Sequence, residues 1–385
     1  MPRHILPIIV FSQFCCTSLW FAGNGVSLEL ASSFGLSSGV GAITSAVQIG
    51  FILGTLVFAV LKIADRFQPS RVFFVCALMG AFVNFSIIWM DQPVQLLAMR
   101  FVTGCCLAGI YPVGMKIATD YHQKGLGLAL GYLIGALVLG TAVPHLLREV
   151  FVLQPWELVI SVTSALSVLG GFLMLLLVPV GPFRRKTAGL DFTAFLKVFQ
   201  QNKFRAAAFG YFGHMWELYA FWAFIPAFIT YYCELNFIDL SVSFWSFFTI
   251  AIGAVGCVVG GYFSIKLGSP FVAQRALTAS LICIILSPMM LVLPVWVFIP
   301  FLLFWGWVVI MDSPQFSSAA ATQAPTEWTG TALTIMNSIG FSITIGSVSL
   351  LGSLPVTHTY FWWLLPGPLL GLLFFRTYSN KKNVT

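Results

Sequence analysis

Gly210-Tyr211-Phe212-Gly213-His214-Met215-Trp216-Glu217-Leu218-Tyr219 lies inside an apolar segment running from about Phe204 to Tyr231. At about 1.5 Å per residue, a helix of that length crosses the ~30 Å hydrocarbon core of a bilayer. An ionised carboxylate at membrane depth costs at least ~2.5 kcal/mol, so Glu217 needs a cation, a proton or a water-filled cavity. His214 stands at i−3, which puts both side chains on one helical face. Trp216, Tyr211 and Tyr219 surround the pair with aromatic surface. An inert protonated acid between helices is one reading. Ionisable groups this deep mark functional sites, and the stretch is read as a membrane span carrying a substrate or proton site.

The rest of the chain agrees. Of its 385 residues, 59% are hydrophobic and 8% charged, with a mean hydropathy of +0.94. Soluble domains carry about 25% charged residues, so this chain cannot cover a globular surface and reads as a polytopic membrane protein. The net charge of +7 is a loop bias and not a nucleic-acid footprint. The eight cysteines fall in or beside apolar segments without zinc-like spacing, as small buried hydrophobes do. No metal, nucleotide or other cofactor site emerges. The apolar stretch from Ile5 continues past Trp20 without a small-residue cleavage site, which makes it a first span and not a signal peptide.

Twelve apolar segments follow one another: 5–27, 40–62, 71–90, 94–118, 126–146, 157–180, 205–231, 241–265, 272–292, 295–317, 330–353 and 357–377. The longest connection, 181–204, separates an amino-terminal six-helix bundle (1–180) from a carboxy-terminal one with a short tail (205–385). Within it, Phe192, Phe195, Leu196 and Phe199 share one face of a short interfacial helix with Asp191 as its N-cap. With the amino terminus inside, all 19 basic residues except Arg100 and Arg148 fall at inner loops, inner helix ends or the termini. The positive-inside rule then places both termini in the cytoplasm. The expected partners are a lipid bilayer, a small-molecule substrate and protons, with a monomeric chain and no nucleic acid.

Several motifs are similar to those of the major facilitator superfamily of secondary transporters, and that resemblance covers essentially the whole chain. Ala64-Asp65-Arg66-Phe67-Gln68-Pro69-Ser70-Arg71 resembles the superfamily's loop between helices 2 and 3. The resemblance implies a cytoplasmic charge latch of Asp65 with Arg66 and Arg71. Arg100-Phe101-Val102-Thr103-Gly104 matches its intramembrane Arg-x-x-x-Gly motif. In the fifth span Gly135 is followed by Ala136 where the antiporter motif has proline. The segments around His214–Ala220 and Met311–Ser317 resemble a bacterial nitrate-transporter-like group. Nitrate porters carry an arginine in helices 2 and 8, and 40–61 and 241–265 have none. The resemblance implies an all-α membrane protein, two six-helix bundles around a central cavity, in a bacterial inner membrane.

Counting from the span borders puts Arg100 about 9 Å and Glu217 about 12 Å below the outer boundary. The superfamily architecture would then face guanidinium to carboxylate across the cavity, unless the pair is purely structural. The expected ligands of a small carboxylate-bearing metabolite, an organic monoanion or an amino acid, are Arg100, Glu217, Trp216, Tyr219, Trp20 and Asn337. Arg100 would grip the carboxylate bidentately, and Glu217 with His214 would carry the coupling proton. Asp312, beside Pro314, either caps a kinked helix or lines an inner gate. Lys116 reads as a snorkelling residue. The other readings weighed are drug or amphiphile efflux and a non-transporting membrane sensor or scaffold.

Overall fold

The computed structural model describes residues 4–36, 39–121, 126–184, 192–325 and 328–379, so Asp191 and its capping role lie outside the described residues. Among these residues ten helices are long and apolar enough to cross a membrane. Helix is what such composition enforces, because hydrocarbon offers no partner to an open backbone group.

The chain divides into two compact units, residues 1–187 with 241–251 and residues 188–240 with 252–385. The first unit holds α1 (Ile5–Thr17), α2 (Ser27–Phe34), α3 (Gly39–Val60), the single turn α4 (Ile63–Arg66), α5 (Pro69–Ser86), α6 (Pro93–Ala108), α7 (Tyr111–Tyr121), α8 (Leu126–Val150) and α9 (Glu157–Leu177). The second holds α10 (Phe192–Phe199), α11 (Asn202–Asn236), most of α12 (Val242–Leu267), α13 (Ser269–Met290), α14 (Val295–Met311), α15 (Ser313–Ala321), α16 (Thr329–Gly352) and α17 (Pro366–Ser379).

Four expected spans, 5–27, 94–118, 295–317 and 357–377, are not single helices. The segment expected as one span over 5–27 ends as helix at Thr17, runs through turns over 18–26 and restarts at Ser27. The Thr17 and Ser18 hydroxyls donate back to the carbonyls of Gln13 (2.9 Å) and Cys15 (2.7 Å). Gly23-Asn24-Gly25 then supplies three poor helix formers in a row. At the other end, 357–377 is a 3-10 turn over Tyr360–Leu364 followed by α17, which starts at Pro366. Proline likewise marks the joints α6/α7 and α14/α15, where Pro112 and Pro314 are each the second residue of the new helix.

In the first unit α3 packs most extensively on α6, and glycine makes this possible. A Cβ on Gly50 would stand 1.9 Å from the Phe101 carbonyl oxygen, and one on Gly104 would stand 2.0 Å from that of Val47. Backbone meets backbone there, as small residues allow between membrane helices. Gly104 of the Arg-x-x-x-Gly motif thus holds α3 while Arg100, one turn earlier, is free to point elsewhere. In the second unit α11 is the central helix, packed on α15, α16 and α17.

Candidate functional site

Glu217 is completely buried on α11. Its Oε1 accepts from the Ser280 hydroxyl of α13 and from Trp305 Nε1 of α14, the latter at 3.0 Å, while Oε2 has no partner. One turn earlier, His214 Nδ1 lies 2.8 Å from Asp312 Oδ1, with side chains 0% and 1% exposed. The pair is ionic by distance, but neither atom makes a directed hydrogen bond, and His214 Nε2 and Asp312 Oδ2 are unpartnered. Asp312 sits at the α14/α15 joint. Its side chain makes no capping bond, and its backbone carbonyl accepts from the amides of Gln315 (3.0 Å) and Phe316 (2.9 Å). The capping alternative for its carboxylate therefore drops out. Among the described residues every lysine and arginine of this unit is exposed. His214 is the one buried group that can offset two buried acids.

The aromatic neighbours distribute differently from expectation. Trp216 is half-exposed, donates from Nε1 to the Trp363 carbonyl at 3.1 Å and lies against Gly367 of α17. One residue along a helix is a turn of about 100°, so Trp216 leaves the face that holds Glu217. Tyr219, buried, has its ring 5.4 Å from that of Trp222 and 5.3 Å from that of Phe341 on α16. Asn337 is a half-buried residue of the same helix.

Arg100, also completely buried, belongs to the first unit. Nη1 donates to the Leu19 carbonyl (3.1 Å) and Asn84 Oδ1 (3.0 Å), and Nη2 to the carbonyls of Leu19 (3.1 Å) and Trp20 (2.6 Å). The break after α1 exposes those carbonyls, and the guanidinium collects them. The two terminal nitrogens of the guanidinium are thus engaged by three neutral oxygens of its own unit, while Nε has no partner. Trp20 is buried with its ring 4.7 Å from Phe51. Asn24, in the same break, donates to Thr44 Oγ1 at 2.7 Å. Asn84 is the residue the sequence reading missed. Its amide also donates to Ser164 Oγ (2.9 Å), Thr163 Oγ1 (3.3 Å) and the Ile160 carbonyl (3.3 Å), tying α5 and α6 to α9. A lone amide inside the apolar run 71–90 was the available signal.

On α4, between α3 and α5, Asp65 pairs with Lys116 of α7 at 2.9 Å. Arg66 and Arg71 are exposed, and Arg184 donates to the carbonyls of Asp65 (3.0 Å) and Phe67 (2.8 Å). The expected latch partners are thus corrected. Lys62, left-handed at φ 53°, turns the chain into α4 and aims Asp65 at α7. Asp65→Ala and Lys116→Ala are expected to shift the ratio of inward-open to inward-closed molecules by about fivefold, the worth of a partly buried ion pair. Distance measurements between spin labels read that ratio. An equal shift in Arg66→Ala would return the latch to the arginine.

The family model of the Major Facilitator Superfamily matches residues 9–349. The niacin transporter NiaP of Acinetobacter baylyi is 32% identical over 111 residues, covering 26% of this chain and 25% of that protein. The alignment thus spans about a quarter of that relative. The fold is similar to that of the human organic anion transporter MFSD10 (TETRAN), with a TM-score of 0.77 at 14% identity over 98% of this chain and 100% of that one. It is also similar to the nucleoside transporter NupG, at TM-score 0.71 and 14% identity over 97% and 98% of the two chains. Spanning helices, buried intramembrane charges and a family match over most of the sequence agree. This multi-pass membrane protein is a transporter and not an enzyme, and it belongs to the Major Facilitator Superfamily.

Proposed function

We propose that the chain is a proton-coupled secondary transporter of a small carboxylate-bearing monoanion, worked by alternating access of two six-span bundles with both termini cytoplasmic. The observation that carries the coupling is Glu217: one carboxylate oxygen is anchored by neutral donors and the other is unpartnered, one turn from His214 and with no buried lysine or arginine among the described residues of its unit. A group built to stay charged would have a permanent cation beside it. A group that binds and releases a proton needs an anchored oxygen and a free one.

The substrate class rests on Arg100. Its partners are all neutral, so the first unit keeps a buried positive charge. That charge attracts an anion through the low-dielectric interior without direct contact. A single cation balances a monoanion and leaves half of a dianion uncompensated. The similarity to a niacin transporter supports the same class, niacin being a pyridine monocarboxylate.

The test is uptake of radiolabelled nicotinate into proteoliposomes under imposed pH gradients of either sign. A gradient is expected to drive accumulation, with monocarboxylates competing at least about tenfold better than dicarboxylates, a difference of ~1.4 kcal/mol. Equal competition would sink the substrate class. Uptake indifferent to the gradient would sink the coupling.

A further inference from the structure

We propose that Asp312 is the receiving end of a three-residue proton relay, Glu217 to His214 to Asp312, and not a gate residue. The inference rests on the proton-coupling reading and extends it to a second acid.

The three groups lie in one unit and are all buried, and each has an unpartnered atom: Glu217 Oε2, His214 Nε2 and Asp312 Oδ2. His214 contacts one acid and shares a helical face with the other. Its Nδ1 is 2.8 Å from Asp312 Oδ1, and one turn of α11 separates it from Glu217. The amides of Gln315 and Phe316 are satisfied by the Asp312 carbonyl, so the carboxylate is not spent on them. The other titratable side chains close by are Cys283 of α13 near Glu217, Cys257 of α12 near Asp312, and Tyr211, whose ring is 6.1 Å from that of His214. None of them can supply a positive charge. Two acids therefore share one potential cation, and their protonation is coupled.

The transfer balances. Protonated Glu217 gives its proton from Oε2 to His214 Nε2 as the imidazole releases its Nδ1 proton to Asp312 Oδ1. Glu217 ends as a carboxylate and Asp312 as a carboxylic acid. The imidazole is neutral before and after, with its proton on the other nitrogen, so the buried charge of the cluster is unchanged. Restoring the starting tautomer requires a turn of the ring or the reverse transfer, which limits the relay to one proton per pass. Because the 2.8 Å contact lacks hydrogen-bond alignment, the ring must swing before the proton crosses. Motion at the α14/α15 joint can gate that step.

The experiment uses the full chain in proteoliposomes with nicotinate as probe. Asp312→Asn and His214→Gln are expected to lose gradient-driven accumulation by at least about tenfold while keeping nicotinate exchange, and Asp312→Glu is expected to restore it. Wild-type accumulation in Asp312→Asn, with accumulation lost in Glu217→Gln, would overturn the relay and leave the coupling reading standing. Wild-type accumulation in Glu217→Gln would remove the coupling reading itself. Loss of exchange in Asp312→Asn without rescue by Asp312→Glu would make Asp312 structural.

A second measurement needs no substrate. In infrared spectra of the purified protein exchanged from H2O into D2O, the protonated-carboxyl band lost in Glu217→Gln should change about twofold in Asp312→Asn. That cross-effect should collapse in His214→Gln. Carboxyl bands indifferent to each other's substitution would overturn the relay.

Discussion

Arg100→Leu is expected to lose roughly 3 kcal/mol of stability, read as a fall of about 5 °C or more in the thermal midpoint of the purified protein. Leucine removes the guanidinium donors from the Trp20 carbonyl and Asn84 Oδ1, and leaves the Leu19 carbonyl a 3.5 Å contact with the Ala22 amide. A buried acceptor that loses its donor costs up to about 1–3 kcal/mol, so these losses together outweigh the relief of no longer burying a cation. Arg100→Lys keeps the charge and offers three donors from one point, but it cannot serve Leu19, Trp20 and Asn84 together as the planar fork does. It should recover less than half of the loss. On the proposed reading, transport of nicotinate should fall in both variants, with Lys the milder because the buried charge persists. A midpoint unchanged in Arg100→Leu would show that the break after Thr17 holds itself together and would free the guanidinium for a ligand.

Ten of the twelve expected spans were legible because hydrophobic runs are local, and i−3 spacing put His214 and Glu217 on one face of α11. Pro314 announced a joint next to Asp312. The break in the first span was not legible, because the group that stabilises it lies on α6, more than 70 residues away. Its local cue, Gly23-Asn24-Gly25, was hidden in a long apolar run. The latch partner was missed for a geometric reason, since proximity in sequence favours Arg66 while the turn at Lys62 selects Lys116. Ser280 gave no signal at all. Serines such as Ser338 and Ser342 merely bond back to their own helix, and nothing in the sequence separates Ser280 from them.

Each unit builds one buried polar nest from corresponding helices. In the first, the opening span supplies acceptors, α5 supplies Asn84 and α6 supplies the cation. In the second, α11 supplies the acid, α13 supplies Ser280 and α14 supplies the Trp305 donor. The signs are reversed, and so are the consequences. A guanidinium keeps its charge under any biological condition and suits a structural clasp, whereas a carboxyl group can give its charge up.

Glu217→Gln exploits that difference. Glutamine keeps an oxygen to accept from Ser280 and Trp305, so the nest stays anchored and the fold should hold to within about 1 kcal/mol. Only the unpartnered Oε2 changes, from an atom that can bind a proton to an amide that cannot release one. Exchange of nicotinate across the membrane requires the conformational cycle but no net proton movement, and it should continue. Accumulation driven by a pH gradient requires a proton to be carried with each turnover, and it should fall to the level of empty liposomes. Exchange should also lose its dependence on pH in the variant. Glu217→Leu separates the structural contribution from the chemical one: it leaves the Ser280 hydroxyl and Trp305 Nε1 without their shared acceptor, so stability should drop as well as coupling. If Glu217→Gln still concentrates nicotinate as the unmodified protein does, the proton travels by another route, and the unpartnered oxygen of Glu217 is merely the cost of burying an acid.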